Sequence, residues 1–508
     1  DHERLVGSEM CIRDSASSAF LKYADFSHYA DYFNGMEDEN IVQAIPNAKA
    51  SEWMEENIPL FECPQHNFEE MYYYRWWSLR KHIKETPVGY GMTEFLVQRS
   101  YSDKYNLIAC AIGHHIYESR WLRDPKYLDQ IIHTWYRGND GGPMKKMDKF
   151  SSWNADAVLA RYMVDGDKDY LLDMKKDLET EYQRWERTNR LKNGLYWQGD
   201  VQDGMEESIS GGRRKKYARP TINSYMYGNA KALSCIGILS GDEGMAMKYG
   251  MRADTLKNLV ENELWNTRHQ FFETMRTDSS ANVREAIGYI PWYFNLPDTT
   301  QKYEIAWKEI MDEKGFSAPY GLTTAERRHP EFRTRGVGKC EWDGAIWPFA
   351  SAQTLTAMAN FMNNYPQTVL SDSVYFRQME LYVESQYHRG RPYIGEYLDE
   401  VTGYWLKGDQ ERSRYYNHST FNDLIITGLI GLRPRLDNTI EVNPLIPADK
   451  WDWFCLDNVL YHGHNLTILW DKNGDRYHCG KGLRIFVDGK EVGQANTLTK
   501  IVCENALK

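Results

Sequence analysis

Apolar residues recur three or four positions apart from about residue 66 to residue 432, and this helical period constrains the fold more than any other feature of the chain. Ile108, Ala111 and Ile112 are one example. The spacing places an apolar stripe along each helix and predicts amphipathic helices with one buried face. About a dozen helices fit into the stretch, which suits helical hairpins closed into a ring. We therefore predict a mainly α fold, an (α/α)6 toroid over residues 66–434.

The period changes to that of β-structure after Pro434. The runs Leu466 to Trp470 and Arg484 to Val487 are β-prone, and the second is followed by Asp488-Gly489, a dipeptide favoured in tight hairpin turns. Residues 435–508 are therefore predicted to form a small C-terminal β-sandwich.

The first 65 residues carry weaker signals. Residues 1–15 show neither period and resemble translated linker sequence, so we expect a non-native leader in place of the native N-terminus. Residues 16–65 are assigned to an N-terminal extension. No uninterrupted apolar run approaches the ~20 residues of a membrane span. We therefore expect a soluble chain with no membrane partner, secreted or periplasmic if a signal peptide has been lost.

Charge and aromatic content narrow the class of partner. The chain has 61 Lys and Arg residues against 72 Asp and Glu residues, a net charge of −11. No basic face is available to neutralise a phosphate backbone, so nucleic acid is excluded as a partner. The 17 Trp and 35 Tyr residues are compatible with a carbohydrate substrate, because aromatic faces pack on the C–H faces of sugars while carboxylates accept hydroxyl hydrogen bonds. Packing in the core is the competing interpretation and accounts for most of them. The oligomeric state stays open.

The sequence predicts neither a metal site nor an organic cofactor. His115 and Glu118 stand at positions i and i+3 of a predicted helix, a spacing that metal sites use, but no third ligand accompanies them. The eight cysteines include no CxxC pair, which argues against zinc.

The loop from Gly194 to Ser208 is the first candidate for catalysis, because it crowds four carboxylates between glycines and aromatic residues. Like-charge neighbours and partial burial raise carboxyl pKa values, and a carboxyl that stays protonated near neutral pH can act as a general acid. Asp203, which a glycine follows, is the predicted acid, and Asp200 is the alternative. A solvated acidic loop is the competing structural interpretation.

A second loop, from Arg391 to Trp405, places Glu396 after a glycine and among aromatic residues. Glycoside hydrolysis requires two carboxylates on opposite faces of one sugar, and a ring of helices can bring loops distant in sequence to the same mouth. Glu396 is therefore the predicted base that activates water. Asp399 and Glu400 are the alternatives, and a structural role for all three competes with catalysis.

The third loop, from Cys340 to Phe349, is a candidate sugar platform. Trp342 and Trp347 would supply aromatic faces, and Asp343 would hold a pair of hydroxyls. A Trp-rich hinge that packs the helices is the alternative. Further candidate substrate-binding residues lie in the acid loop or beside helix starts: Trp153, Asn154, Trp197, Arg213, Asn223 and Tyr225.

Taken in their order along the chain, these motifs resemble those of the six-hairpin glycosidases. The specific resemblance is to the glycoside hydrolase family 63 and mannosylglycerate-hydrolase-like group of the trehalase-like clan. Gly199 to Asp203 resembles the acid loop of that group, although Gly-Asp-Val-Gln-Asp replaces its usual Ser-Gly-x-Asp. Glu396, shortly before Thr402-Gly403, resembles its base element. Asn417 to Asp423 resembles its closing segment and adds His418 to the candidate substrate-binding residues.

The resemblance covers roughly residues 66–435 and implies a glycoside hydrolase that inverts the anomeric centre in a single displacement. Asp203 would protonate the glycosidic oxygen while Glu396 deprotonates a water on the other face of the ring, with the carboxyls about 6.5–9.5 Å apart. An α-linked glycoside or oligosaccharide is the implied substrate, and no cofactor is implied. The alternatives are a catalytically silent carbohydrate-binding toroid and a toroid phosphorylase or lyase.

Overall fold

The computed structural model describes residues 20–300 and 302–508, so the predicted leader over residues 1–15 lies outside the described residues. In the described part of the chain the α-helices are α1 (Ser27–Asn34), α2 (Ala50–Asn57), α3 (His66–Lys81), α4 (Ile112–Ser119), α5 (Lys126–Arg137), α6 (Asn154–Asp165), α7 (Lys168–Asp173), α8 (Lys175–Asn189), α9 (Pro220–Ser240), α10 (Glu243–Leu259), α11 (Ile290–Tyr293), α12 (Pro348–Asn364), α13 (Asp372–Ser385) and α14 (Asn422–Leu424). None of these helices is both long and apolar enough to cross a membrane.

The strands divide into short pairs within the helical region and longer strands after it. They are β1 (Leu60–Glu62), β2 (Ile83–Thr86), β3 (Gly89–Met92), β4 (Trp197–Gln198), β5 (Tyr217–Ala218), β6 (Trp265–Asn266), β7 (Phe271–Phe272), β8 (Ser317–Ala318), β9 (Gly321–Leu322), β10 (Tyr387–His388), β11 (Arg391–Pro392), β12 (Ile440–Val442), β13 (Trp453–Tyr461), β14 (His464–Asp471), β15 (Gly482–Val487), β16 (Lys490–Ala495) and β17 (Ile501–Cys503). The chain is thus helix-rich, with a sheet domain at its C-terminal end.

Six of the helices contact one another in a closed cycle. Helix α4 contacts α6, α6 contacts α9, α9 contacts α11, α11 contacts α12, α12 contacts α14, and α14 returns to α4. Helices α8 and α10 pack against α9, and α13 packs against α12. The loops that connect these helices are far apart in sequence but therefore lie close together where the helices end.

Local sequence signals determine where the α9–α10 hairpin turns. Helix α9 ends at Ser240, and the next residue, Gly241, has a φ of 72°, in the left-handed region that glycine adopts readily. Asp242 then caps α10 by accepting a hydrogen bond from the backbone N–H of Met245 (3.0 Å). Stop and start signals thus occupy adjacent residues, and the two helices pack along each other.

Aromatic side chains fill the interior between α4, α6 and α9. Trp153 is fully buried, and its ring lies 4.9 Å from that of Tyr225 and 5.0 Å from that of His114. Its indole N–H donates to the Tyr293 hydroxyl (3.2 Å). A Cβ at Gly113 would lie 2.1 Å from the indole, so α4 approaches Trp153 closely only because it has glycine there.

The C-terminal sheet is antiparallel and has the strand order β1-β13-β14-β15-β16, while β12 and β17 form a separate pair. Asp488-Gly489 makes the two-residue turn between β15 and β16, with φ values of 48° and 80°. Both positive angles suit the hairpin turn that the dipeptide predicts. Strand β1 comes from the N-terminal extension and pairs with β13, Leu60 opposite Asp457. The extension is therefore tied to the C-terminal sheet.

Candidate active site

A cavity of about 360 Å³ lies where loops from five parts of the chain meet. Its wall combines carboxyls, cations and aromatic rings. The carboxyls are Glu94, Glu206 and Glu396, the cations are Lys149, Arg213 and Arg412, and the rings include Phe95, Tyr101, Phe150, Trp347, Phe349, Tyr416 and His418. This composition suits a hydroxyl-rich ligand, because carboxylates and cations bind hydroxyls while rings pack on C–H groups.

Glu396, the predicted base, lies on the cavity wall and is 5% exposed. Its Oε2 is 3.4 Å from the Lys407 ammonium and 3.4 Å from an Arg412 guanidinium nitrogen. Two cations therefore balance the negative charge of this carboxylate.

The two alternatives to Glu396 are absent from the cavity wall. Asp399 stabilises a turn by accepting hydrogen bonds from the backbone N–H (2.8 Å) and hydroxyl (3.0 Å) of Thr402. Glu400 is buried in an ion pair with Arg333. Both carboxylates thus have structural partners of their own.

Glu206 also lies on the cavity wall, although its sequence context did not distinguish it from its neighbours. Burial, followed by the negative charges of Glu396 and Asp200, raises the pKa of Glu206 to about 7. Gly204, at a φ of 72°, ends the short helical turn Val201–Asp203, after which Met205 is buried and Glu206 reaches the cavity. A carboxyl that is half protonated near neutral pH can act as a general acid.

Asp203, the predicted acid, does not line the cavity. Its fully buried side chain pairs with Arg219, whose Nε lies 2.6 Å from Oδ2. Thr221 donates its hydroxyl to the same oxygen, and Ser151 donates its hydroxyl to Oδ1. The alternative Asp200 is 1% exposed and is also absent from the cavity wall. Asp203 thus links its loop to Arg219 and Thr221 at the start of α9.

Glu94 is the third glutamate of the wall and follows strand β3. It is 4% exposed, and its Oε2 accepts a hydrogen bond from the Cys110 thiol (3.1 Å). Burial raises the pKa of Glu94 to about 7, and the negative charges of Glu396 and Glu206 contribute in the same direction.

Trp347 lies on the cavity wall, but both of its ring faces are packed. Trp342 stacks on one side at 4.5 Å and Tyr397 stacks at 4.6 Å, with interplanar angles of 21° and 19°. Trp347 is consequently only 3% exposed. A free aromatic face, which a sugar platform requires, is therefore not offered by Trp347, and Trp342 lies beneath it.

The other predicted substrate-binding residues divide into two groups. Arg213 and His418 lie on the wall, whereas Trp153, Asn154, Trp197, Asn223, Tyr225, Trp342 and Asp343 do not. Asn223, for example, uses its amide to bind the backbone N–H and C=O of Tyr196 (2.8 and 2.9 Å). Asp343 accepts from the backbone N–H of Gly336 (3.0 Å). These polar side chains organise the loops around the cavity.

His418 retains an unused polar atom at the cavity. Burial lowers the pKa of His418 well below its ordinary value, so the ring is neutral at physiological pH. Its Nε2 has no hydrogen-bond partner among the described residues. A buried nitrogen without a partner is costly, and a sugar hydroxyl can satisfy it.

The described residues contain no group of three or more His, Cys, Asp or Glu side chains arranged to hold a metal ion. His115 forms a hydrogen bond with the backbone carbonyl of Asn417 (2.7 Å). Glu118 accepts three backbone N–H groups at the start of α14, from Phe421 to Asp423. The hydrogen bonds of His115 and Glu118 thus join α4 to the segment from Asn417 to Asp423.

Two family models match the chain. The mannosylglycerate hydrolase MGH1-like glycoside hydrolase domain matches residues 104–419, and the C-terminal domain of glycosyl hydrolase family 65 matches residues 432–493. The first match confirms the resemblance drawn from the loop motifs, and the second falls on the C-terminal sheet domain.

The chain also resembles several solved structures. A protein named sialidase superimposes with a TM-score of 0.96 at 94% identity over 97% of this chain and 46% of its own, so this chain spans about half the length of that protein. The GH63 mannosylglycerate hydrolase of Thermus thermophilus, with Tris bound, gives 0.53 at 12% identity over 68% and 98%. The GH78 family rhamnosidase of a Bacillus species gives 0.57 at 10% identity over 84% and 41%. The last two likenesses concern the fold alone.

Proposed function

The chain belongs to the mannosylglycerate hydrolase MGH1-like glycoside hydrolase family. We propose that it hydrolyses a glycosidic bond of a sugar bound in the cavity, with Glu206 and Glu396 as the two catalytic carboxyls. One observation carries the assignment: the two carboxyls share a cavity and have opposite electrostatic surroundings. Glu396 lies 3.4 Å from each of two cations, whereas burial raises the pKa of Glu206 to about 7. One ionised and one protonated carboxyl is the pairing that glycoside hydrolysis requires.

The reaction follows from these two states. Glu206 gives its proton to the glycosidic oxygen as the bond from that oxygen to the anomeric carbon breaks. Glu396 takes a proton from a water that attacks the anomeric carbon from the opposite face, and the configuration inverts. Bulk water then restores the proton to Glu206 and removes the one on Glu396. Water is the only co-substrate.

The sequence predicted Asp203 as the acid, and we assign this role to Glu206 instead because of where the two side chains lie. A general acid must come within hydrogen-bond reach of the leaving oxygen. Three protein donors already surround the buried Asp203 carboxylate, while Glu206 lies on the cavity wall. Both belong to the same acidic loop, so the loop assignment is retained and the residue changes.

We also infer that the helical body is an (α/α)6 toroid of the trehalase-like kind, closed C-terminally by a β-sandwich. The closed cycle of contacts from α4 through α14 back to α4 supports the toroid, and so does the fold likeness to the GH63 hydrolase. The presence of two separate sheets, the five-stranded one and the β12–β17 pair, supports the sandwich.

The proposed substrate is an α-linked glycoside or oligosaccharide. A panel of 4-nitrophenyl α- and β-glycosides and plant and fungal oligosaccharides, with sialosides included because of the relative named sialidase, identifies the sugar. Proton NMR of the first product tests the mechanism, since inversion releases the opposite anomer. Initial release of the same anomer as in the substrate contradicts inversion. A rate that requires inorganic phosphate indicates a phosphorylase.

Glu396→Gln is the decisive variant for the proposed base. The amide keeps the shape of the side chain but cannot take a proton from water, so hydrolysis should be lost while binding, measured by calorimetry, persists. Glu411→Gln, at an exposed glutamate outside the cavity, is the matched control. Full hydrolysis by Glu396→Gln would exclude this residue as the base.

A further inference from the structure

We propose that Glu94 is a specificity-determining residue, a neutral carboxylic acid that donates a hydrogen bond to an uncharged oxygen of the sugar in the cavity. The inference rests on the proposed function and deepens it, since it adds a third carboxyl with a role distinct from acid and base. It follows from where Glu94 lies, how it is held and which groups surround it.

Glu94 is held rigidly at the wall. Its backbone C=O accepts a hydrogen bond from the N–H of Asn417 (3.0 Å), and the Asn417 amide donates to the C=O of Thr93 (3.0 Å). The Thr93 hydroxyl in turn contacts the His82 ring (3.0 Å). Both sides of the peptide are thus fixed to neighbouring segments, which places the side chain before substrate arrives.

In the described part of the chain, the Glu94 carboxyl has no cationic partner. Among the described residues, no Lys, Arg or His nitrogen lies within ion-pair distance of its carboxyl, in contrast to Glu396 with Lys407 and Arg412. Its side-chain partners are uncharged: the Cys110 thiol at 3.1 Å, which is a weak donor, and the Tyr416 hydroxyl. A buried charge without a partner is expensive, so such a group remains neutral instead.

The titratable groups around Glu94 favour the same state. Cys110 and Tyr416 stabilise its ionised form modestly, whereas burial and the charges of Glu396 and Glu206 oppose ionisation and raise the pKa of Glu94 to about 7. The other charged and titratable groups on the cavity wall are Tyr101, Lys149, Arg213, Cys340, Arg412 and His418. Below neutral pH the carboxyl therefore offers one O–H donor, which fits a hydroxyl or a ring oxygen.

The pH dependence of kcat/KM tests the proposal on the 4-nitrophenyl or oligosaccharide substrate that the panel identifies. Two carboxyls, Glu206 and Glu94, must then be protonated, so log kcat/KM of the wild type should approach a slope of about −2 at pH values well above the pKa values of both. Glu94→Gln, a permanently neutral donor, should keep activity within about threefold at a pH of about 5.5 and show a slope of about −1. Glu94→Ala should lose at least about tenfold, which is about 1.4 kcal/mol.

Cys110 supplies a matched pair of variants. Cys110→Ser puts a stronger donor on the ionised carboxylate and should move the alkaline limb to lower pH, while Cys110→Ala removes the donor and should move it to higher pH. Cys235→Ser, on α9 outside the cavity, should leave the profile unchanged. Thermal unfolding of every variant verifies folding. If Glu94→Gln is as impaired as Glu94→Ala in mildly acidic buffer, or keeps the steeper wild-type slope, the proposal is overturned.

A second measurement is independent of turnover. In protein labelled with ¹³C at the glutamate carboxyls, the resonance that Glu94→Gln removes should titrate near neutral pH and shift when the corresponding methyl glycoside is added. A titration midpoint in the ordinary glutamate range overturns the neutral donor even if hydrolysis proceeds as proposed. Conversely, if the Glu206 or Glu396 variants keep full activity, the proposed acid or base role fails while the titration of Glu94 is unaffected. The two proposals can therefore fail separately.

Discussion

The buried pair of Asp203 and Arg219 offers the sharpest test of which residue of the acidic loop is the acid. Both side chains are fully buried and 2.6 Å apart. Asp203→Asn keeps the shape of the side chain but removes its charge, which leaves the guanidinium uncompensated in the interior. If Asp203 is only an anchor, the substitution should act mainly on stability, whereas an acid would in addition lose activity in proportion to how poor the leaving group is.

The magnitude follows from the surroundings of Arg219. Removing one partner of a buried pair costs about 3–5 kcal/mol, because the other charge loses its compensation. Glu285 and Asp200 also exert a favourable field on Arg219, so part of the compensation survives. The lower end of the range, about 3 kcal/mol, is therefore expected.

Urea unfolding followed by tryptophan fluorescence measures this cost. Glu206→Gln is the control from the same loop. Because Glu206 forms no ion pair with any described residue, the free energy of unfolding of this variant should stay within about 0.5–1 kcal/mol of the wild type. The reasoning would be refuted by an Asp203→Asn variant with unchanged unfolding that loses activity only on substrates with poor leaving groups. That result would return the acid role to Asp203.

Three further outcomes are expected. Glu206→Gln should lose about 10²–10⁴-fold in kcat on an oligosaccharide but much less on an activated aryl glycoside, whose leaving group needs no proton; equal losses in a kinetic comparison would contradict this. Trp347→Ala should cost about 3–5 kcal/mol of stability, because Trp342 packs on one face and a tyrosine on the other; a higher KM with unchanged urea unfolding would instead indicate a sugar platform. Burial lowers the pKa of His82 and His114 from 6.5 to about 3, so both are neutral in the folded chain and protonate on unfolding. Their stabilising contribution should be complete above pH 6.5 and decline as pH falls toward 3. Carboxyls with raised pKa values act in the opposite direction, so the comparison is with His114→Phe: a stability difference between this variant and the wild type that is equal in neutral and in mildly acidic buffer would exclude the contribution of His114.

The helix-rich body and the C-terminal sheet could be predicted because their signals are local. Gly241-Asp242 carries the end of one helix and the cap of the next in adjacent residues. Asp488-Gly489 supplies the two positive φ angles of its hairpin. Such signals depend on backbone preferences of the residues themselves, so a single sequence contains them. The (α/α)6 closure and the domain limits are long-range properties and stay proposals.

The aromatic residues were harder to assign, because a tryptophan beside a polar residue occurs both in sugar sites and in packed cores. Trp153 is core because Gly113, forty positions earlier, lets α4 approach its indole. Trp347 reaches the cavity, but Trp342 and Tyr397 cover its faces. Which face of a ring stays free depends on neighbours from other loops, and the local sequence does not specify these neighbours.

The same distinction separates Glu206 from Asp203. Both are carboxyls of one Gly-bearing loop, and their local contexts favour the acid role about equally. The difference arises at the start of α9, where Arg219 binds Asp203, while Gly204 turns the chain and directs Glu206 to the cavity. An arginine that begins a helix behind an acidic loop was the available signal, since a buried cation requires a carboxylate and removes one from catalysis. Glu206, the proposed acid, is the carboxyl of this loop that lies on the cavity wall, where burial raises its pKa to about 7.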